Sequence, residues 1–163
     1  MIILGIDPGI ATMGYGILNS EKGKIEAVDY GVVITPKEEN TPVRLAMLEK
    51  GLNSIIEKYK PDEIAIEELF FNKNVKTAIV VAQARGAILL TCIKSCERLY
   101  EYTPLQIKQG LTGYGRADKN QIQQMVKILL NLKNIPKPDD AADALAVALC
   151  HAHTNKLSAG FKI

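Results

Sequence analysis

At 163 residues, 47% hydrophobic and 23% charged, the chain has the size and composition of one globular unit that buries a core unaided, which excludes a disordered or disulfide-scaffold protein. Net charge is only +2, yet residues 1–70 carry 7 Lys or Arg against 12 Asp or Glu, and residues 71–163 carry 13 against 6. A negative first part and a positive remainder make an electrostatic footprint for a polyanion, with charges scattered over a solvated surface as the plain alternative.

The chain opens on Met1-Ile2-Ile3-Leu4-Gly5-Ile6-Asp7, an apolar run that stops at Pro8-Gly9 and reads as a buried strand. With no basic region before it and an acid within one strand length, this is not a secretory signal, so a cytoplasmic protein is expected. Residues 14–18 and 25–34 read as two more strands joined by a turn at 20–23. Thr41-Pro42 reads as an N-cap followed by proline at N1, and Leu45, Leu48, Leu52, Ile55, Ile56 and Tyr59 recur at helical spacing, which predicts a helix from 41 to about 60. Residues 63–67 form a short strand parallel to the first, because a helical crossover separates the two. A polar loop over 71–76 leads to a long helix over about 77–98. Its apolar stretch, 78–93, is broken by Gln83 and Arg85, too short and too polar to span a bilayer, so no membrane is expected. Tyr100-Glu101-Tyr102 is a fifth strand, and Thr103-Pro104 repeats the cap-plus-proline start for a short helix that ends before the loop at 112–115. Ile122, Met125, Val126, Leu129 and Leu130 stripe a further helix, and a proline-punctuated link leads into a last one from Asp140 to about residue 153.

A three-strand meander followed by strands alternating with helices predicts the α/β class, a five-stranded mixed sheet flanked by helices. The expected organisation is one unit over 1–156 and a flexible tail over 157–163. Three cysteines, with Cys92 and Cys96 at helical spacing, read as reduced and buried; a zinc site from Cys92, Cys96, Cys150 and His151 or His153 lacks a CxxC pair.

The chemistry lies in the acids. Asp7 stands where the first strand runs out, in a segment otherwise of Ile, Leu and Gly, and Glu67 holds the equivalent place on the fourth strand. Two parallel strands thus deliver acids to the carboxyl edge, where crevices form in open α/β sheets. Asp140 and Asp143 share a helix face, since three steps of 100° return to within about 60°. Crowded carboxylates repel, and either protons or bound cations offset the repulsion. Carboxylate oxygens suit Mg²⁺ or Mn²⁺, and a pair of ions would support attack and departure in phosphodiester hydrolysis. Singly, Asp7 could merely open the Pro8-Gly9 turn and Asp140 could be an N-cap. Glu68 and Asp139 compete for the same roles; strand alternation favours Glu67, and the three-residue spacing favours Asp140.

Gly5-Ile6-Asp7-Pro8-Gly9, Ala65-Ile66-Glu67, Gln83-Ala84-Arg85-Gly86 and the run from Asp140 through Ala146 resemble, in order and over nearly the whole chain, the RuvC family of bacterial Holliday junction resolvases. The stretch from Gly113 to Lys119 and Met125-Val126 match that family as well. The resemblance implies a ribonuclease H-like fold, a homodimer acting on four-way junction DNA, and paired symmetric nicks leaving 5′-phosphate and 3′-hydroxyl ends. It implies Asp7, Glu67, Asp140 and Asp143 as catalytic ligands of two Mg²⁺ ions, with Mn²⁺ able to substitute, and partnership with the branch-migration proteins RuvA and RuvB. The family sometimes places histidine at the position of Asp140. Phe70 resembles the aromatic that stacks on bases near the junction centre, a contact worth about 1–3 kcal/mol per base; the alternative is that Phe70 and Phe71 are core. Lys108 and Lys119 look like the family's phosphate-binding lysines, and Lys73, Lys76 and Arg116 also lie where they can reach phosphates. Arg85, inside the apolar helix, reads as structural. The apolar surface of that helix, including Ile79, Val80, Ile88 and Leu90, suits an isologous dimer contact or a plain core.

Two rival functions remain at this stage. Asp7-Pro8-Gly9 with Thr12 and Gly14 vaguely resembles the phosphate loop of the sugar kinase and actin superfamily, which needs a second lobe for which the chain lacks room. A junction-binding protein without activity would show a substituted metal ligand, and all the expected acids are present.

Overall fold

The computed structural model describes residues 1–68, 75–154 and 162–163, leaving aside the side chains at 75 and 76. Five strands, β1 (Ile2–Asp7), β2 (Thr12–Glu21), β3 (Lys24–Ile34), β4 (Glu63–Glu67) and β5 (Leu99–Tyr102), form one sheet in the order β3-β2-β1-β4-β5. β1–β2 and β2–β3 pair antiparallel, whereas β1–β4 and β4–β5 pair parallel. The helices are α1 (Thr41–Tyr59), α2 (Val75–Ser95), α3 (Pro104–Thr112), α4 (Lys119–Leu129) and α5 (Asp139–Thr154). The expected mixed sheet and its helical crossover are therefore present.

Side chains alternate across the sheet and feed two cores. Leu4, Ile6, Ile64 and Ile66 pack with Leu48, Leu52, Ile55 and Ile56 of α1 and Ala84, Ile88 and Cys92 of α2. Ile3 and Ala65 face the other way, onto Leu145 and Ala148 of α5 and onto α3 and α4. Cys92 and Cys150 lie in opposite cores, so the cysteines cannot share a zinc ion.

Local chemistry sets the helix starts, with one correction. Asn40, not Thr41, caps α1, its side chain accepting from Val43 N at 3.1 Å; Thr41 and Pro42 are the first helical residues. Asn competes well with Thr for this position, and the proline needs no donor anywhere in the first turn. Thr103 caps α3 as expected, in a reciprocal box with Gln106, and Asp118 and Gln121 build the same box for α4. α2 begins and ends earlier than its apolar pattern suggests. By length and composition alone its stretch Thr77–Ser95 would suffice to cross a bilayer, contrary to the expectation drawn from Gln83 and Arg85. Ile79, Leu90 and Ile93 on it are exposed.

What positions the site is the seat of α5. A Cβ on Gly14 would fall 2.0 Å from the Asp140 carbonyl, one on Gly5 would fall 2.2 Å from the Ala144 carbonyl and 2.7 Å from the Ala148 amide, and one on Gly16 would fall 2.8 Å from Leu145 Cδ2. Helix backbone thus rests directly on sheet backbone along a glycine seam. Gly5→Ala is expected to destabilise the fold by roughly 1–3 kcal/mol, since the atom it meets is backbone that cannot rotate away. A melting temperature equal to the parent's would show that the seam tolerates a methyl group.

Candidate active site

Asp7 and Glu67 end adjacent parallel strands. Ile6 faces Ile66 in the register, so the next residue on each strand places the two acids side by side, on the α5 face that Ile3 and Ala65 share. Asp7 also pairs with Gly14 of β2, over which the Asp140 carbonyl sits. The seam therefore carries the first turn of α5 to the end of β1. Asp143, one turn on, lines a cleft with Glu67, Pro104, Ile107, Lys108, Lys119, Ile122 and Ala146.

The electrostatics are those of four acids converging. Burial first, then the charges of Glu67, Asp143 and Asp140, push Asp7 up to about 8, with Lys119 opposing. Burial and then Asp143 push Glu67 up to about 7, against Lys119 and Lys108. Burial also raises Asp143. Lys119 Nζ stands 3.2 Å from Asp143 Oδ2 and 3.3 Å from Asp139 Oδ2. Among the described residues no three Asp, Glu, His or Cys side chains stand close enough to hold an ion as they are; the ammonium of Lys119 engages Asp143 instead.

The competing acids separate. Asp139 is half-exposed, accepts from Lys137 Nζ at 2.7 Å, and is held down to about 2 by the hydrogen bonds from Lys137, Gln123 and Lys119. Asp140, not Asp139, bears on Asp7. Glu68 acts instead on Arg85. Lys108 is half-buried on the wall of the cleft and Arg116 is exposed in the loop before α4. Phe70 and Lys73 lie outside the described residues, and of Lys76 only its place in the first turn of α2 is described.

Two polar arrangements escaped sequence reasoning. His151, fully buried, joins Glu63 Oε2 through Nε2 at 2.7 Å and Tyr102 Oη through Nδ1 at 2.7 Å. Burial holds its pKa below the ordinary value, and a neutral ring can accept from the tyrosine while donating to the carboxylate. An acid opening an apolar strand and a histidine inside the apolar run of α5 were the available signals. The other is Arg85, which ion-pairs with Glu101 and donates from Nη1 to the Glu67 carbonyl at 3.2 Å.

A mixed sheet of this order, with acids on its two central parallel strands and on the helix across them, is the ribonuclease H-like α/β fold. The family described as Crossover junction endodeoxyribonuclease RuvC matches residues 3–151. A relative of that description from Clostridioides difficile is 60% identical over 162 residues, covering 99% of this chain and 96% of the relative. One from Alkaliphilus oremlandii is 59% identical, covering 100% of this chain and 99% of its own. Among solved structures, Thermus thermophilus RuvC in complex with Holliday junction substrate superposes with a TM-score of 0.88 at 32% identity, covering 99% of each chain. The chain belongs to the RuvC family of crossover junction endodeoxyribonucleases.

Between the ordinary aspartate value of 3.8 and about 8, folded Asp7 holds a proton that the unfolded chain has released. Folding stability due to this group therefore falls as pH rises through that window, and the deficit is complete above it. In EDTA, Asp7→Asn is expected to melt higher than the parent at about pH 9, the gain shrinking toward about pH 5. A difference that is flat or grows on acidification would contradict the assignment.

Proposed function

We propose that this protein is a Holliday junction resolvase that nicks four-way DNA junctions in a paired, symmetric manner by metal-assisted phosphodiester hydrolysis. The observation that carries this reading is the convergence of Asp7, Glu67, Asp140 and Asp143 from β1, β4 and α5 beside a cleft walled by Lys108 and Lys119. The Thermus thermophilus relative, solved with a Holliday junction substrate, supports the choice of DNA.

The donor set fits hard divalent ions. All four groups offer carboxylate oxygen, and their crowding is relieved by protons at about 7 and 8 on Glu67 and Asp7 when nothing else neutralises them. We assign two Mg²⁺ per site to these four side chains, with Mn²⁺ able to substitute. Bound there, the ions would supply Lewis acidity to the phosphate and lower the pKa of the attacking water. The chain's own residues do the rest. Lys119 shields Asp143 and faces the cleft, where it and Lys108 can bind phosphate oxygens. Ile107, Ile122 and Ala146 give the cleft an apolar wall. Arg116, Lys73 and Lys76 are assigned to outlying phosphates and Phe70 to base stacking.

We assign the active form to a homodimer, because symmetric nicking needs two sites facing opposite strands. The exposed Ile79, Leu90 and Ile93 of α2 support an isologous contact there. Cytoplasmic action alongside RuvA and RuvB completes the reading.

With a labelled synthetic junction, Asp7→Asn and Glu67→Gln are expected to bind as the parent does and to cut more than roughly a hundredfold more slowly, and EDTA to stop the parent. Undiminished cutting by either variant would refute the site. In light scattering at micromolar concentration the parent is expected as a dimer and Leu90→Lys as a monomer; a monomeric parent would remove the dimer from the reading.

A further inference from the structure

This inference rests on the reading of Glu67 as a catalytic acid and concerns what holds it. In the pairing of β4 with β5, Ile64 N donates to Arg98 O at 2.9 Å and Glu68 N to Tyr102 O at 2.8 Å. Even-numbered residues of β4 therefore direct their backbone groups to β5, and the odd-numbered ones, Glu67 included, direct theirs to β1. In the β1–β4 register Ile6 faces Ile66. One step further, the donor due to meet the Glu67 carbonyl is the amide of residue 8. Residue 8 is a buried proline and has no N–H. The turn that ends β1 just after Asp7 thus leaves a carbonyl without its ladder donor on the residue that bears the second acid.

Arg85 of α2 fills the vacancy. Its Nη1 donates to Glu67 O at 3.2 Å, while Nη2 pairs with Oε1 of Glu101, the β5 residue that faces Ile66. The two side chains are only 16% and 23% exposed. A planar guanidinium can serve a carbonyl and a carboxylate at once from fixed directions, which an ammonium on a flexible stem does poorly. The charge of Glu68 also bears on Arg85. We propose that Arg85 is a positioning residue of the nuclease centre: it supplies the hydrogen bond that Pro8 withholds, and so fixes the peptide from which the Glu67 carboxylate is presented.

The test compares Arg85→Met, Arg85→Lys and the double variant Arg85→Met with Pro8→Ala, in which an amide returns at residue 8. Three measurements are made on the full chain: single-turnover nicking at saturating Mg²⁺, junction affinity in Ca²⁺, and the ¹³C shift of the Glu67 carbonyl without metal or DNA. Arg85→Met is expected to slow nicking by roughly tenfold or more with affinity within about twofold of the parent, because misplacement of a reacting group costs rate rather than binding. Its Glu67 carbonyl shift moves toward that of an unbonded carbonyl. Arg85→Lys falls between, and Pro8→Ala in the double variant returns both the shift and part of the rate. Parent-like nicking by Arg85→Met, or a loss that Pro8→Ala does not recover, overturns the proposal. If Glu67→Gln cuts normally while the carbonyl shift still follows Arg85 and Pro8, the reading of Glu67 fails and the backbone bond stands.

Discussion

The absence of side chains at Gly5, Gly14 and Gly16 is the constraint on which the site depends. Each would drive a Cβ into α5, two of them into its backbone at 2.0 and 2.2 Å. Because the helix can lie on the sheet itself, acids carried on α5 reach acids carried on strand ends. Side chains at these three positions would stand between helix and sheet and hold the two backbones apart. With them absent, the charge of Asp140 bears on Asp7. The small residues of α5, with Ala141, Ala142, Ala144 and Ala148 all buried, are the matching half of this fit.

Convergence has an electrostatic cost that shapes the remainder of the site. Burial and neighbouring carboxylates at this edge raise the proton affinity of Asp7, Glu67 and Asp143, and Lys119 and Lys108 oppose the rise. Lys119 opens α4, where the Asp118 box fixes the helix start, so the cation is delivered by capping chemistry rather than by a loop. The acids of Asp7 and Glu67 lie in the negative first part of the chain, and both lysines in the positive second part. Asp143, from the positive part, lines the same cleft, so folding brings acids of both parts beside these two lysines.

Most of the fold was legible because each strand and helix carries its own period and its own stop signal. Strand alternation chose Glu67 over Glu68, and the charge of Glu68 bears on Arg85 of α2 and not on Asp7. The three-residue spacing chose Asp140 over Asp139, which is spent on Lys137 and Lys119. What stayed hidden depends on partners distant in the chain. The Thr41-Pro42 pair pointed to threonine as the cap of α1, and only geometry shows that Asn40, one residue earlier, takes that place. Glu63 and His151 are 88 residues apart, and no local pattern announces that they meet. Lys119 resembles a phosphate-binding lysine, but its ion pair with Asp143 is announced by no local pattern and forms only where α4 lies against α5.

A smooth seam of glycine and alanine explains how closely α5 approaches but supplies no direction along its axis. Direction comes from buried polar bonds outside the seam. His151, near the far end of α5, is bonded both to Glu63 at the start of β4 and to Tyr102 at the end of β5, which ties the helix lengthwise to the two strands. At the opposite edge Arg85 ties the end of β4 to β5 and α2. Buried hydrogen bonds of this kind lose much if a partner shifts, because the groups cannot turn to water instead. Apolar packing therefore sets how near the acids come, and a few buried directional bonds set where along the helix and strands they stop.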